Sequence, residues 1–215
     1  MTELTIQIIY ILALIIAVMI HEISHGYVAL LCGDTTARDA GRLSLNPIRH
    51  VDPIGTVILP LMLVLFKAPF LFGWAKPVPV NLARTRDPRQ AMWLTAIAGP
   101  ASNMIQALVG VAVYHLTLRI GFDVLPVSIA LYTLLAAEAY VSINIVLMTF
   151  NMIPVPPLDG SRIVTALLPR ELAVAYMRLE SVGFILIILL INLNVTDKLI
   201  FGVLNGFMRI FGMVR

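Results

Sequence analysis

The chain has 215 residues, of which 60% are hydrophobic and only 13% charged, with a formal net charge of +3. A soluble domain carries about 25% charged residues, so this composition excludes an exterior covered throughout by polar groups and implies broad contact with lipid. The small net charge says little about nucleic acid, and none is expected as a partner; one cysteine, Cys32, excludes an internal disulfide.

In chain order, the first apolar segment runs from about Leu4 to Leu31. At about 1.5 Å per residue it is long enough to cross a hydrocarbon core of about 30 Å. No Lys or Arg precedes it and no small-x-small site follows, so it reads as a span rather than a cleaved leader. The second segment, Ile54 to Phe66, is shorter and broken by Pro60. It leads into "KAPFLFGWAKPVPVN", too rich in Pro and Gly for a helix and alternating like an extended strand. The third segment, Gln90 to Leu118, contains "AGPASN", in which Gly99 and Ala101 are small enough for close approach of the first helix and Asn103 reads as a packing residue. The fourth, Val127 to Met152, carries Glu138 and ends in "NMIPVPPLDG". The fifth, Ser181 to Val195, extends back toward Met177, and the tail, Leu199 to Val214, reads as an interfacial amphipathic helix. The expected fold is therefore an all-α polytopic membrane protein. It has about four to five transmembrane helices, a re-entrant helix and extended-strand segment, and a C-terminal interfacial helix. Residues 1–215 form one domain, with a core over about 4–170 and an additional helix and tail over 171–215.

The chemistry concentrates in "HEISH", residues 21 to 25, inside the first apolar segment. His-Glu-x-x-His on a helix puts His21 and His25 one turn apart on one face, where both imidazoles reach one metal ion. Glu22 stands beside them as a base toward an attacking water. An ionisable group in lipid needs a partner, and a zinc ion provides one. Catalytic zinc takes three protein ligands. Asp34, Asp39 and Asp159 are the carboxylates weighed for the third place, and Asp159 lies at the end of an apolar, proline-rich stretch beside Gly160. His50 and His115 read as structural or interfacial. The same ligand types would also suit an intramembrane metal-binding transporter, but a transporter needs ligands along a path, whereas here they form one compact cluster with a base beside it.

His21-Glu22-x-x-His25 on a first apolar helix, "GPASN" on a middle one, and Asn151-x-x-Pro154-x-Pro156-x-x-Asp159-Gly160 after a later one resemble the site-2 protease family of intramembrane zinc metalloproteases. "NPIRHVDPIGT" and "GWAKPVPVN" are similar to its compact branch, without PDZ or CBS domains. The resemblance implies one zinc ion per chain held by His21, His25 and Asp159, with Glu22 as general base. It implies a role for Asn151 in positioning substrate or steadying the oxyanion. It also implies a membrane-anchored protein substrate cut within or near its transmembrane segment.

Topology follows from requiring both ends of the site to meet. His21 lies toward the end of the first segment and Asp159 just past the fourth, so the second segment must enter and return. The site side then carries Arg38, Arg42, Arg49, Lys67, Lys76, Arg84, Arg86, Arg89, Arg162, Arg170 and Arg178, 11 of the 15 basic residues. The excess of positive charge predicts a multi-pass protein of the cell membrane with its site toward the cytoplasm. Pro77 and Pro79, two residues apart, leave the amides of Lys76, Val78 and Val80 along the other edge to pair with an unwound substrate.

Overall fold

The computed structural model describes residues 2–58, 62, 65–66 and 76–213. Helix α1 spans Glu3–Leu31 and begins after Thr2, whose hydroxyl accepts the Thr5 amide at 3.3 Å. Helix α2 spans Pro88–Leu116. Proline at its first position suits a fixed helical φ, and the Asp87 carboxylate accepts the amides of Arg89 and Gln90. A π-helical turn, Thr117–Gly121, and a final turn, Phe122–Val124, extend it. Helix α3 spans Val127–Asn151, α4 Asp159–Leu167, α5 Arg170–Met177, α6 Glu180–Asn192 and α7 Val195–Ile210.

Three helices among the described residues are long and apolar enough to cross a membrane: Glu3–Leu31, Pro88–Val124 and Val127–Asn151. The pair α5 and α6, bent by 65°, would make a fourth if counted as one span. Most of the second apolar segment lies outside the described residues, so these three or four spans count the described residues alone.

The three long helices alternate in direction. His21 meets Asn103 and His25 meets Thr95, so rising numbers in α1 face falling numbers in α2. Asn103 meets Asn144 and Gln106 meets Tyr140, so α3 runs opposite to α2. The Arg86 amide donates to Cys32 O at 3.3 Å, joining the end of α1 to the approach of α2. Residues 32–87 therefore leave and return at the same end of the bundle. Much of the expected re-entrant segment, residues 59–61, 63–64 and 67–75, lies outside the described residues.

No strand forms among the described residues. Residues 76–81, expected to be extended and paired, carry neither helix nor strand because their amides bond to isolated partners. Lys76 N–H donates to His50 O at 2.9 Å, Val78 N–H to Glu22 and Asn81 N–H to Asp34, while Pro77 and Pro79 have no donor to give.

Where α2 and α3 cross, Ala107, Val111, Ala137, Val141 and Ile145 are buried together. A Cβ on Gly110 would stand 2.7 Å from a Val141 methyl. Small residues at a lipid-exposed crossing let backbones approach and gain dispersion contacts, the main attraction available where the solvent is itself apolar. At the end of this pair away from the site, Phe207 and Met208 of α7 pack on Tyr114, Leu134 and Ala137. His115 Nε2 donates to Phe211 O at 2.7 Å. The tail expected at the interface is thus tied into the bundle. Near the site, Arg89 donates to Ala166 O at 2.5 Å and Leu168 O at 3.1 Å. These are carbonyls at the C-terminal end of α4, where a cation is favoured, so α4 is fastened to the start of α2.

Candidate metal centre

His21 lies ten residues before Leu31, about 15 Å along the helix from its end. His21 and His25 are one turn apart, and their Nε2 atoms stand 3.0 Å from each other. Asp159, the first residue of α4, brings Oδ2 to 3.3 Å from each Nε2. The three atoms form a nearly equilateral triangle in the bundle, with His21 and Asp159 buried and His25 half-buried. Tetrahedral zinc with bonds of about 2.0–2.1 Å spaces its ligands about 3.3 Å apart, so the triangle fits such an ion. Asp159 Oδ2 is buried and receives no hydrogen bond, which is costly unless a cation faces it.

Each ring is held from behind. His25 Nδ1 stands 2.6 Å from Thr95 O. His21 Nδ1 stands 2.6 Å from Asn103 Oδ1. Pro100 lies inside α2, where it has no amide to give to Ala96 O. In the same stretch Thr95 O reaches across to His25. Gly99 faces the triangle, and a Cβ there would collide with Nε2 of both histidines. Glycine is required by this approach of α2 to α1, as the sequence led one to expect. Ala101 is exposed and takes no part.

Gly160 also serves a close approach, since it sits in the first turn of α4 rather than in a loop. A Cβ there would strike Met152 O and stand 2.8 Å from Ile153 O. Its absence lets the start of α4 rest on the end of α3, and that contact places Asp159.

Glu22 turns to another side of α1. Its Oε2 accepts the Val78 amide at 2.8 Å. The chain around Val78 is fixed by three further contacts. Arg42, buried, donates to Lys76 O at 2.6 Å. His50 O accepts the Lys76 amide, and Asp34 Oδ2 accepts the Asn81 amide at 2.6 Å. Burial of Asp34 pushes its carboxyl up, but hydrogen bonds from Thr36 and Asn81 outweigh that and hold it below the usual carboxylate range. Asp34 is thus spent on the loop, and Asp39 is exposed, bonded to Thr35 and Arg38. Neither reaches the triangle. Of the three amides expected to form a donor edge, only Val80 N–H is without a partner among the described residues.

Asn151, the last residue of α3, donates its amide to Leu147 O at 3.0 Å. Among the described residues no hydrogen bond joins it to His21, Glu22, His25 or Asp159. His50 Nε2 donates to Ser44 O at 2.8 Å, within the loop. Glu138 is exposed on α3 and lines a separate cavity with Tyr114, Ser142 and Asn205. The residue that sequence reasoning placed too modestly is Asn103. Its partner His21 is 82 positions away, and only the "GPASN" pattern marked it.

A helix carrying His-Glu-x-x-His, joined by a carboxylate from a second helix, has the side-chain set of a metallopeptidase. Known proteins agree. The profile of peptidase family M50 matches residues 125–191. YwhC of Bacillus subtilis (strain 168), described as a candidate zinc metalloprotease, is 37% identical over 197 residues, covering 91% of this chain and 85% of YwhC. Rip2 of Mycolicibacterium smegmatis, similarly described, is 23% identical over 199 residues, covering 93% of this chain and 72% of that protein. Rip2 of Mycobacterium tuberculosis is 27% identical over 146 residues, 68% of this chain and 52% of its own length. No solved structure matches the chain. The chain belongs to peptidase family M50, the site-2 proteases, and is a zinc metallopeptidase.

Proposed function

We propose that this chain is an intramembrane endopeptidase that binds one zinc ion and cuts membrane-anchored proteins within or near their transmembrane segments, from the cytoplasmic side of the cell membrane. Residues 1–215 act as a single catalytic unit. The observation that carries the reading is the 3.0–3.3 Å triangle of His21, His25 and Asp159 atoms, placed well inside an apolar helix. The fit to a tetrahedral ion and the buried Asp159 oxygen that receives no hydrogen bond support these three as ligands.

Zinc, when bound, supplies Lewis acidity that activates water and stabilises negative charge at the scissile carbonyl. Glu22 takes a proton from the attacking water and delivers it to the leaving amine as the carbon–nitrogen bond breaks. The Val78 amide holds one Glu22 oxygen in place and leaves the other to carry that proton. Asn103 and Thr95 O keep the imidazoles aimed. The second hydrogen of the Asn151 amide, not used by Leu147 O, is the one that can steady the oxyanion or the substrate. A helical substrate must unwind before its carbonyl is accessible, and its freed backbone groups need partners at membrane depth.

The test is purified protein in liposomes, assayed for metal content and for cleavage of a transmembrane reporter peptide. Wild type should hold one zinc per chain and cut the reporter. Glu22→Gln should keep the zinc and lose turnover by about a thousandfold. Zinc passing into the vesicles with no cleavage by wild type would replace this reading with a transporter.

A further inference from the structure

Two buried asparagines lie behind the metal site without belonging to it. Asn103 and Asn144 are both fully buried, at 0% exposure. They connect α1, α2 and α3 through one line of hydrogen bonds: Tyr140 O, Asn144, Asn103 and His21.

The orientation of every group in this line is set from one end. A backbone carbonyl only accepts, so Tyr140 O, 2.9 Å from Asn144 Nδ2, must receive the Asn144 NH2 group. Asn144 then turns Oδ1 toward α2 and accepts from Asn103 Nδ2 at 2.8 Å. Asn103 in turn presents Oδ1 to His21 Nδ1 at 2.6 Å. An oxygen there requires that Nδ1 carry the ring proton. The neutral imidazole then has a bare lone pair on Nε2, the atom that faces His25 and Asp159. His25 reaches the same state by a shorter route, since Thr95 O is itself a backbone carbonyl.

We propose that Asn144, acting through Asn103, is a positioning residue that fixes the tautomer of His21 and so prepares it as a ligand. This rests on the metal-site reading above. An asparagine alone at 103 could present either its oxygen or its NH2 group to His21, and with the NH2 forward the proton moves to Nε2 and blocks the ligand. Asn144 removes that choice. Loss of such outer partners typically weakens metal binding by about 10–100-fold.

The experiment measures zinc affinity by chelator competition on detergent-solubilised full-length protein. Nitrogen-15 spectra of the histidine rings provide a readout that helix packing alone does not move. Asn103→Leu and Asn144→Leu should each weaken zinc at least about tenfold, and their combination should be no worse than Asn103→Leu alone. A carboxylate at 103 has only acceptor oxygens, so Asn103→Asp should no longer need Asn144. The Asn103→Asp/Asn144→Leu double variant should therefore bind zinc within about threefold of wild type, with His21 protonated at Nδ1 in the metal-free protein. The proposal is overturned if Asn103→Leu binds zinc like wild type, if the two leucine losses multiply, or if the rescue variant stays as weak as Asn144→Leu. His21→Ala separates the two failures. Full zinc binding there would overturn the ligand assignment itself, whereas loss of zinc there with an unaffected Asn103→Leu would overturn only the relay.

Discussion

One turn of α1 carries two sets of side chains that are supported in opposite ways. On the side of His21 and His25 the supports are helices: Gly99, Thr95 and Asn103 of α2, and Asp159 at the start of α4. On the side of Glu22 the support is irregular chain, residues 76–81, held by Arg42, His50 and Asp34. Under the proposed function, the difference teaches how the site would divide its tasks. A metal needs several atoms fixed to within tenths of an ångström, which rigid crossings provide. A base that takes and returns a proton needs one oriented oxygen and one free one, which a tethered loop provides.

Variants on the two sides should therefore fail differently. The largest effect is expected for Asp159→Ala, which removes the third corner of the triangle: zinc content should fall to background and reporter cleavage with it. Retention of one zinc per chain would remove Asp159 from the centre. Gly99→Ala should come next, because the added methyl has no space beside the two Nε2 atoms. Zinc affinity should drop by at least about tenfold, while circular dichroism still shows the helical fold. A variant binding zinc normally would show that α2 yields freely at this crossing.

On the other side, Val78→Pro deletes the amide that holds Glu22. Turnover should fall by about a hundredfold, within the range of general-base contributions, and zinc stoichiometry should stay at the wild-type value. Loss of zinc would mean the two sides are not separable. The smallest effect belongs to Arg42→Met, which keeps the bulk of the side chain but loses the bond to Lys76 O. A few-fold fall in kcat with zinc unchanged is expected, since one hydrogen bond to a charged donor contributes about 1.5–3 kcal/mol and the two other tethers, from His50 and Asp34, remain.

Much of the helical side was legible in the sequence. His21, Glu22 and His25 follow from helical spacing, and the pattern around Asp159 and Gly160 marked the carboxylate that closes the triangle. Gly99 could be read as a point of close approach, although the sequence did not show that the approaching groups were the two imidazole nitrogens. What stayed hidden depends on contacts between distant residues. Nothing near Val78 announces that its amide bonds a glutamate 56 positions earlier, and nothing near Asn144 announces its place behind His21. Alternation in "GWAKPVPV" suggested a strand, but a strand needs a row of open donors and acceptors. Those of Lys76, Val78 and Asn81 are each taken singly by groups from elsewhere in the chain.

The position of His21, about 15 Å from the end of α1, has a consequence for the products of the reaction. Every peptide bond cut at that depth creates an amine and a carboxylic acid where a transmembrane segment had been neutral. Both new chain ends ionise once water reaches them, and each then prefers the aqueous phase to lipid by several kcal/mol. Hydrolysis therefore turns a stable anchor into two fragments with a strong tendency to leave. The depth of the cut, more than its sequence, determines how short a hydrophobic stub each fragment retains and how readily it escapes. A substrate nicked nearer its own end would stay membrane-bound after cleavage, so under the proposed function the burial of this turn of α1 would make the enzyme a release device as well as a hydrolase.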